Sequence, residues 1–283
     1  MLSIVIDVGI PLCAILLMFI AGTEVRMAAI EEVRHSRRAT LTGSIGQLIT
    51  TPAVGLATIF LAAPVKPIAA GVLILSICPG GGISTYYTYL ARANVALSAF
   101  ITALSTVLSL LTMPLWLSLL TKLGQAVVEL KEVPVAFVLG QLALFMLLPV
   151  AAGAFLQHVR PDLVQHHTAF FRRMSLLVVL VVLGLTATAI QSELTTLARD
   201  IGLSAIIFIA LAMLFAHLTT VGLRPGERCV VVIESAVRNV GVALLLAKTL
   251  FSPADLAVIA SFLIGYFLIE LIIMVAYATL AQR

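Results

Sequence analysis

Long apolar stretches separated by short polar segments are the feature that most limits how this chain can fold. About 61% of its 283 residues are hydrophobic and only 11% are charged, whereas an ordinary soluble domain has about 25% charged residues. Each helical membrane crossing needs roughly 20 apolar residues. These proportions exclude a soluble enzyme, a disordered protein and a nucleic-acid-binding protein, and they leave no room for a soluble domain of useful size.

Nine apolar segments can be recognised, and they predict an all-α polytopic membrane protein with about nine transmembrane helices. Helices are expected because lipid offers the backbone no hydrogen-bond partners, and because the segments lack the alternation of barrel strands. The segments cover about residues 3–22, 40–63, 67–90, 94–121, 134–156, 171–190, 200–219, 228–250 and 254–280.

The positive charges between these segments predict the orientation of the chain. Of the 17 Lys and Arg residues, eleven fall on one side of the membrane, five fall on the other, and Arg238 lies inside a segment. The positive-inside rule places the richer side in the cytoplasm. We therefore expect the N-terminus outside and the C-terminus in the cytoplasm.

Two segments carry residues that do not suit a regular transmembrane helix. The third contains Pro79 followed by three glycines, and such a run cannot remain helical at membrane depth. The eighth places Glu234, Arg238 and Asn239 in an apolar run, where Gly241 is the only helix disruptor. Its break signal is weaker than that of the third segment.

The order of the segments predicts an inverted repeat. Successive segments cross the membrane in alternating directions, so the third and the eighth run in opposite directions. Each of the two is followed by one long helix. This pattern is typical of transporters whose interrupted helices meet near the bilayer midplane. We expect a four-helix half at 1–123, with a break near 78–84, and a five-helix half at 124–283, with a break near 234–241.

A row of hydroxyl groups lies on one face of the fourth segment. The spacing of its members is four, three, four and three residues, which places them together on a helix. They are Ser98, Thr102, Ser105, Ser109 and Thr112. Hydroxyl oxygens suit a hard cation, but small polar residues also serve close helix packing. Ser98 and Thr102, which are near the first break in sequence, favour the functional interpretation.

The charges inside the segments are costly, so they need a reason to be there. Each costs roughly 2.5–3.5 kcal/mol at the bilayer centre on insertion scales. On an intact helix Glu234 and Arg238 could pair. Alternatively, Glu234 faces a cation site, while Arg238 faces a substrate anion or replaces a cation. Glu270 leaves a net negative charge inside the segments, which invites Na⁺ or a proton.

Two stretches resemble the bile acid:sodium symporter family in its nine-helix form. They are CPGGGISTYYTYLARANVALS at 78–98 and ESAVRNVG at 234–241. The resemblance implies a panel domain and an inverted-repeat core domain with two broken, crossing helices. It also implies alternating access that imports organic anions with sodium.

The resemblance implies particular site residues by position. One sodium site would comprise Ser84, Thr85, Ser98, Thr102 and Glu234. The other would comprise Gln47, Glu234 and the backbone and side chain near position 238. The substrate would meet Gly81, Gly82, Arg238 and Asn239.

Two positions depart from the family pattern. Thr85 stands where the family usually has Asn, and Arg238 stands where it usually has Gln. A guanidinium beside Glu234 would neutralise it as a bound sodium ion would, so we hypothesise that Arg238 occupies the second sodium site. Coupling would then fall to one sodium ion or to none.

These observations favour a secondary transporter of a small organic anion in the bacterial inner (plasma) membrane, in contact with the lipid bilayer. Nucleotide-binding and hydrolase motifs are absent from the sequence, so no enzyme activity is expected. Alternatives are a sodium-independent or proton-coupled anion transporter, an exporter, or a membrane sensor that kept a transporter fold. Oligomeric state stays open, a monomer included.

Overall fold

The computed structural model describes residues 8–25, 35–124, 134–189 and 195–282. Within these four ranges the regular structure is helical, and β-type pairing is limited to an isolated bridge between Gly80 and Arg238. Both chain ends, which are predicted to lie on opposite sides of the membrane, are outside the described residues.

The α-helices of the described ranges follow one another along the chain with short connections. They are α1 (Ile10–Thr23), α2 (Arg37–Ile45), α3 (Thr51–Ala62), α4 (Lys66–Ile77), α5 (Ser84–Leu90), α6 (Val95–Gly124), α7 (Val135–Leu142), α8 (Leu148–Val159), α9 (Pro161–Ala189), α10 (Ala198–Thr219), α11 (Pro225–Ala236), α12 (Val240–Leu250) and α13 (Pro253–Ala281). Two π-helical turns, Gly46–Thr50 and Ala143–Leu147, join α2 to α3 and α7 to α8.

Length and apolar character make five helical stretches of the described residues able to cross a membrane. They are Arg37–Ala62, Val95–Leu119, Ala136–Val159, Ala198–Thr219 and Pro253–Ala281. Large apolar side chains are also exposed on the outside of the protein, among them Phe60 at 84% and Ile272 at 70%. Such surfaces suit lipid rather than water. The chain is therefore a multi-pass membrane protein whose regular structure, in the described ranges, is helical, while the count of nine crossings stays a prediction.

One predicted segment boundary is wrong. Helix α9 begins at Pro161, whereas the apolar pattern placed the start of this segment near residue 171. Proline suits the first turn of a helix because its missing N–H needs no partner there. Asp162 in the same turn complements the helix dipole. The helix therefore extends through polar residues that hydrophobicity alone assigns to a loop.

The second helix break lies earlier than its glycine suggested. Helix α11 ends at Ala236, Val237 is extended, and α12 begins at Val240. The side chain of Asn239 caps α12 by accepting a hydrogen bond from the Val242 N–H at 3.0 Å. Asparagine is a favoured N-cap residue, so Asn239 rather than Gly241 marks where the helix restarts.

Tyr266 on α13 holds the end of α11 in place. Its ring is fully buried and packs edge-on against Phe208 of α10, with ring centroids 5.8 Å apart. Its hydroxyl donates a hydrogen bond to the carbonyl of Ala236, the last residue of α11. A carbonyl freed by the helix break therefore has a partner, as the membrane interior requires.

Helices α1 and α8 pack closely because each presents a glycine to the other. A Cβ atom built on Gly22 would lie 2.1 Å from the carbonyl oxygen of Val150, and one on Gly153 would lie 2.1 Å from that of Phe19. Small residues let membrane helices approach in this way.

We expect Gly153→Ala to lower the free energy of unfolding by about 1–3 kcal/mol, because the added methyl group must push α1 away from α8. Gly140→Ala is the matched control, since its Cβ meets nothing within 4 Å. Alanine there favours the helix by about 1 kcal/mol. Melting of the two purified variants in detergent, followed by circular dichroism, measures both effects. Equal melting temperatures would contradict the close crossing of α1 and α8.

Candidate functional site

The two helix breaks lie against each other and share backbone hydrogen bonds. The Gly81 N–H donates to the Val237 carbonyl at 3.3 Å, and the Asn239 N–H donates to the Pro79 carbonyl at 3.1 Å. The backbone groups released by one break are thus partly satisfied by the other. Such exchange is what allows non-helical backbone at membrane depth.

Only glycine fits where the two breaks touch. A Cβ atom on Gly81 would lie 2.8 Å from the Arg238 carbonyl oxygen. On Gly80 it would lie 2.9 Å from the Gln47 amide nitrogen and 3.0 Å from the Glu234 carboxylate. The glycine run therefore brings the first break close to the polar side chains of the second.

Glu234, at the end of α11, is fully buried and accepts four side-chain hydrogen bonds. Ser84 and Ser98 donate to one carboxylate oxygen at 2.6 Å and 2.5 Å. Thr102 and the Gln47 amide donate to the other at 2.9 Å and 2.8 Å. We call these five residues the Glu234 cluster. Its members come from four parts of the chain, so the tertiary fold brings them together.

Gln47 connects the Glu234 cluster to both helix breaks. Its amide nitrogen donates to the Glu234 backbone carbonyl at 3.0 Å as well as to the carboxylate. Its amide oxygen accepts from the Gly80 N–H at 3.2 Å. Gln47 lies in the π-helical turn that joins α2 to α3, and such turns are frequent at functional sites.

Arg238 does not pair with Glu234 along a helix, so the structure does not support the first of the two alternatives for these charges. The helix ends two residues before Arg238, which turns the side chain away from the i, i+4 position. One guanidinium nitrogen, Nη2, instead donates to three backbone carbonyls, those of Gln47 and Ser76 at 3.3 Å and that of Cys78.

The carbonyls that Arg238 meets explain why a buried cation is tolerated there. Ser76 and Cys78 lie at the C-terminal end of α4, where unpaired carbonyls and the helix dipole favour positive charge. The side chain is only 2% exposed. Its Nε and Nη1 atoms have no hydrogen-bond partner among the described residues, so two donors remain for another group.

The remaining predicted residues lie nearby but make other contacts. The Thr85 hydroxyl donates to the Gly82 carbonyl at 2.9 Å, so it is not among the donors to Glu234. The Asn239 amide nitrogen contacts the Met18 sulfur of α1 at 3.7 Å. A Cβ atom on Gly82 would lie 3.6 Å from Ala21, also on α1. Gly82 and Asn239 therefore lie on the side of the crossing that faces α1.

Four residues of the hydroxyl row on α6 fall into two pairs with different hydrogen-bond partners. Ser98 and Thr102 reach Glu234, whereas Ser105 and Ser109 donate to carbonyls of their own helix at 2.9 Å and 2.7 Å. The first two thus belong to the site, and the next two satisfy themselves within the helix.

Two contributors to the site were not predicted from the sequence. The carbonyls of Ser76 and Cys78 hold Arg238. Their position just before Pro79 could have indicated them, because a helix that ends there leaves its last carbonyls unpaired. Nothing in the residue types themselves marks a backbone acceptor.

A cavity of about 260 Å³ lies on another side of the Glu234 cluster, between α2, α3 and α10. Its polar lining includes Thr42, Thr50, Thr51 and Ser235. Ser235 follows Glu234 in the chain, and the Thr51 hydroxyl donates to the Gln47 carbonyl at 3.1 Å. The cavity therefore brings open space close to the backbone of two cluster residues.

Among the described residues, no group of three or more His, Cys, Asp or Glu side chains could hold a metal ion. The Glu234 cluster instead gathers hydroxyl, amide and carboxylate oxygens around one negative charge. Oxygen ligands of this kind suit hard cations and do not suit soft ones.

Comparison with known proteins gives a family match. A model described as the Sodium Bile acid symporter family matches residues 11–198. The chain is 26% identical over 282 residues to the "Ileal sodium/bile acid cotransporter" of Oryctolagus cuniculus, a match that covers 95% of this chain and 78% of that protein.

Shorter matches involve plant and bacterial proteins. The chain is 40% identical over 97 residues to the "Probable sodium/metabolite cotransporter BASS1, chloroplastic" of Arabidopsis thaliana, which is 34% of this chain and 23% of that protein. It is 32% identical over 107 residues to the "Uncharacterized sodium-dependent transporter YocS" of Bacillus subtilis (strain 168), which is 38% of this chain and 33% of that protein. The matched part of the chain thus spans less than two thirds of the length of these two relatives.

We expect Gly81→Ala to reduce stability by about 1–3 kcal/mol, because its methyl group meets backbone that cannot move without separating the two breaks. Gly82→Ala is the matched control, since its Cβ makes an ordinary contact at 3.6 Å. Thermal unfolding of both variants tests the difference. A Gly81→Ala protein that melts with the control would mean that the breaks are not in close contact.

Proposed function

Because the chain belongs to the Sodium Bile acid symporter family, we propose that it is a secondary active transporter that imports a small organic anion with sodium. The family comprises transporters and not enzymes, and its named members include sodium/metabolite and sodium/bile acid cotransporters. The observation that carries the proposal is a buried Glu234 surrounded by oxygen-bearing side chains where two broken helices meet.

The first sodium ion binds at the Glu234 cluster. Hydroxyl groups can rotate to offer a lone pair to a cation in place of the proton that they now donate to the carboxylate. Ser84, Ser98 and Thr102 are already within 3 Å of the carboxylate oxygens, so little movement is needed. The Thr85 hydroxyl donates to the Gly82 carbonyl. It can offer its oxygen to the sodium ion only if this hydrogen bond breaks.

Arg238 takes the place of a second sodium ion. Its guanidinium meets three carbonyl oxygens, one of them that of Gln47, which is the kind of oxygen set that would hold a cation. A fixed positive charge there repels a second cation in a medium of low dielectric constant. Coupling therefore falls to one sodium ion per cycle.

The same residue attracts the substrate. The Nε and Nη1 groups of Arg238 lack protein partners in the described ranges, and hydrogen bonds from arginine to a carboxylate are charge-assisted. Gly81, beside the Arg238 backbone, together with Asn239 and Gly82 on the side of the crossing towards α1, completes the anion site. The substrate is a small organic carboxylate.

The cycle proceeds by alternating access. We propose about nine crossings arranged as inverted halves, 1–123 and 124–283, with a core that carries both breaks and a panel that includes the closely packed α1 and α8. The core rocks or slides against the panel to expose the site on either side. The protein lies in a bacterial plasma membrane with its N-terminus outside and its C-terminus in the cytoplasm.

The first test is the sodium dependence of uptake. A thermal-shift screen of organic acids in NaCl and in KCl first identifies an acid that binds, and this acid is then used as the substrate. Liposomes that contain the purified protein are expected to accumulate that acid when an inward Na⁺ gradient is imposed. The uptake rate should depend hyperbolically on the sodium concentration. At saturating acid, which offsets the lost substrate contact, we expect Arg238→Gln to make this dependence sigmoidal, because a second cation can then bind.

The outcomes of this test separate the alternatives. A wild-type ratio of two sodium ions per substrate would contradict the role of Arg238, while flux that ignores sodium would contradict the coupling. Stabilisation by the acid without any flux would identify a sensor rather than a transporter.

The hydroxyl ligands provide a second test. Thr102→Val is expected to weaken sodium activation about tenfold, equivalent to about 1.4 kcal/mol, since one oxygen ligand is lost. Thr106→Val is the matched control, because the Thr106 hydroxyl donates within its own helix to the Thr102 carbonyl at 2.8 Å. Half-saturating sodium concentrations for uptake measure the effect. If the two variants respond alike, the Glu234 cluster does not bind the ion.

A further inference from the structure

A second fully buried glutamate, Glu270, lies in the middle of α13 without a hydrogen-bond partner among the described residues. Its side chain is 0% exposed, and neither carboxyl oxygen finds a donor among the described residues. Its polar neighbour is Tyr87 of α5, whose buried hydroxyl has no partner at hydrogen-bonding distance and angle among the described residues. Two unsatisfied polar groups therefore face each other inside the protein.

The two fully buried glutamates of the described ranges have opposite surroundings. Glu234 accepts four hydrogen bonds, which stabilise its carboxylate form. Glu270 accepts none from the parts of the chain that the structure describes, and an ionised carboxylate buried without donors or a counter-ion is very costly. Environments that differ in this way assign different protonation states to two groups of the same kind.

No positive charge compensates Glu270 from the described parts of the helices packed against α13. Tyr87 of α5 and Tyr266, one turn away on α13, are the titratable groups that interact with it. The charge of Arg238 interacts with Tyr266, Cys78 and Glu234. His217 of α10 and Cys229 of α11 face Tyr277, two turns further along.

The remaining charged groups of these helices whose side chains are described lie at helix ends, in the Glu234 cluster or, for His166, His167 and Arg173, on the exposed surface of α9. Those at the ends of α4, α10 and α12 are Lys66, Arg199, Asp200 and Lys248.

The neighbourhood of Glu270 suits a proton better than a metal ion. A sodium ion needs several oxygen ligands, as the Glu234 cluster offers. Beside Glu270 the Tyr87 hydroxyl is available, but the Tyr266 hydroxyl is already bonded to the Ala236 carbonyl. A protonated carboxyl needs only one acceptor, and a hydrogen bond to the Tyr87 oxygen would satisfy both orphaned groups.

Helix α5 connects the two glutamates. Ser84, in its first turn, donates to Glu234, and Tyr87, one turn later, lies beside Glu270. A change in the ligands of Glu234 that moves this short helix therefore also moves the partner of Glu270. The two sites can respond to each other through seven residues, Ser84–Leu90.

We propose that Glu270 and Tyr87 form a proton-binding site that is loaded from water on one side of the membrane and unloaded to water on the other during transport. The transport step of this inference rests on the proposed function, whereas the binding of the proton is independent of it.

Infrared difference spectroscopy tests the proton directly on the full-length protein in lipid. We expect wild-type protein at neutral pH to show the C=O stretching band of a protonated carboxyl, and Glu270→Gln to lose it. Tyr87→Phe, which keeps the ring, should shift the band, because the hydrogen bond to the carboxyl is gone. The exposed Asp162→Asn change should leave it unaltered. A wild-type protein without the band, or a band that Glu270→Gln retains, would overturn the site.

Transport then tests whether the proton moves. At a fixed sodium gradient, an imposed pH gradient should change the uptake rate of wild-type liposomes, and Glu270→Gln should abolish that response. If the variant transports with an unchanged response to pH, the proton is a permanent part of the structure and the transport step is wrong. If wild-type protein shows the infrared band but transports nothing, the proposed function fails while the proton site stands.

Discussion

Every feature of the site depends on how two interrupted helices satisfy their backbone groups away from water. Lipid supplies no hydrogen bonds, so a break is tolerated only where protein replaces the missing partners. Here the breaks do this for each other, through Gly81 with Val237 and Asn239 with Pro79. The Tyr266 hydroxyl adds a donor for the carbonyl that ends α11. The glycines are required because this exchange needs backbone to touch backbone.

The same constraint explains where the buried charges lie. A broken helix presents free carbonyls at one end, and these hold the Arg238 guanidinium at the end of α4. The other break leaves Glu234 at the last turn of α11, where donors from α5, α6 and the π-helical turn can converge. Opposite charges are thus held in adjacent sites by different partners, which leaves each able to meet a ligand of its own.

Much of the site could be predicted because its signals are local. A proline before three glycines breaks any helix, and Ser98 and Thr102 share a face by their spacing alone. The contacts of the Arg238 side chain could not be predicted. Pairing with Glu234 requires a continuous helix from 234 to 238, and the helix ends at Ala236. The signal was Asn239, whose capping role is recognisable only once the following helix is known to start there.

By itself, the sequence determined the membrane environment, the helical class and the first break, because hydrophobicity and proline–glycine chemistry act over a few residues. The tertiary structure decided which side chains meet. Gln47, Ser84, Thr102 and Glu234 are far apart in the chain, and only packing brings their oxygens within hydrogen-bonding distance. Packing also distinguishes two glutamates that look alike in sequence, since within the described residues it supplies four donors to Glu234 and none to Glu270.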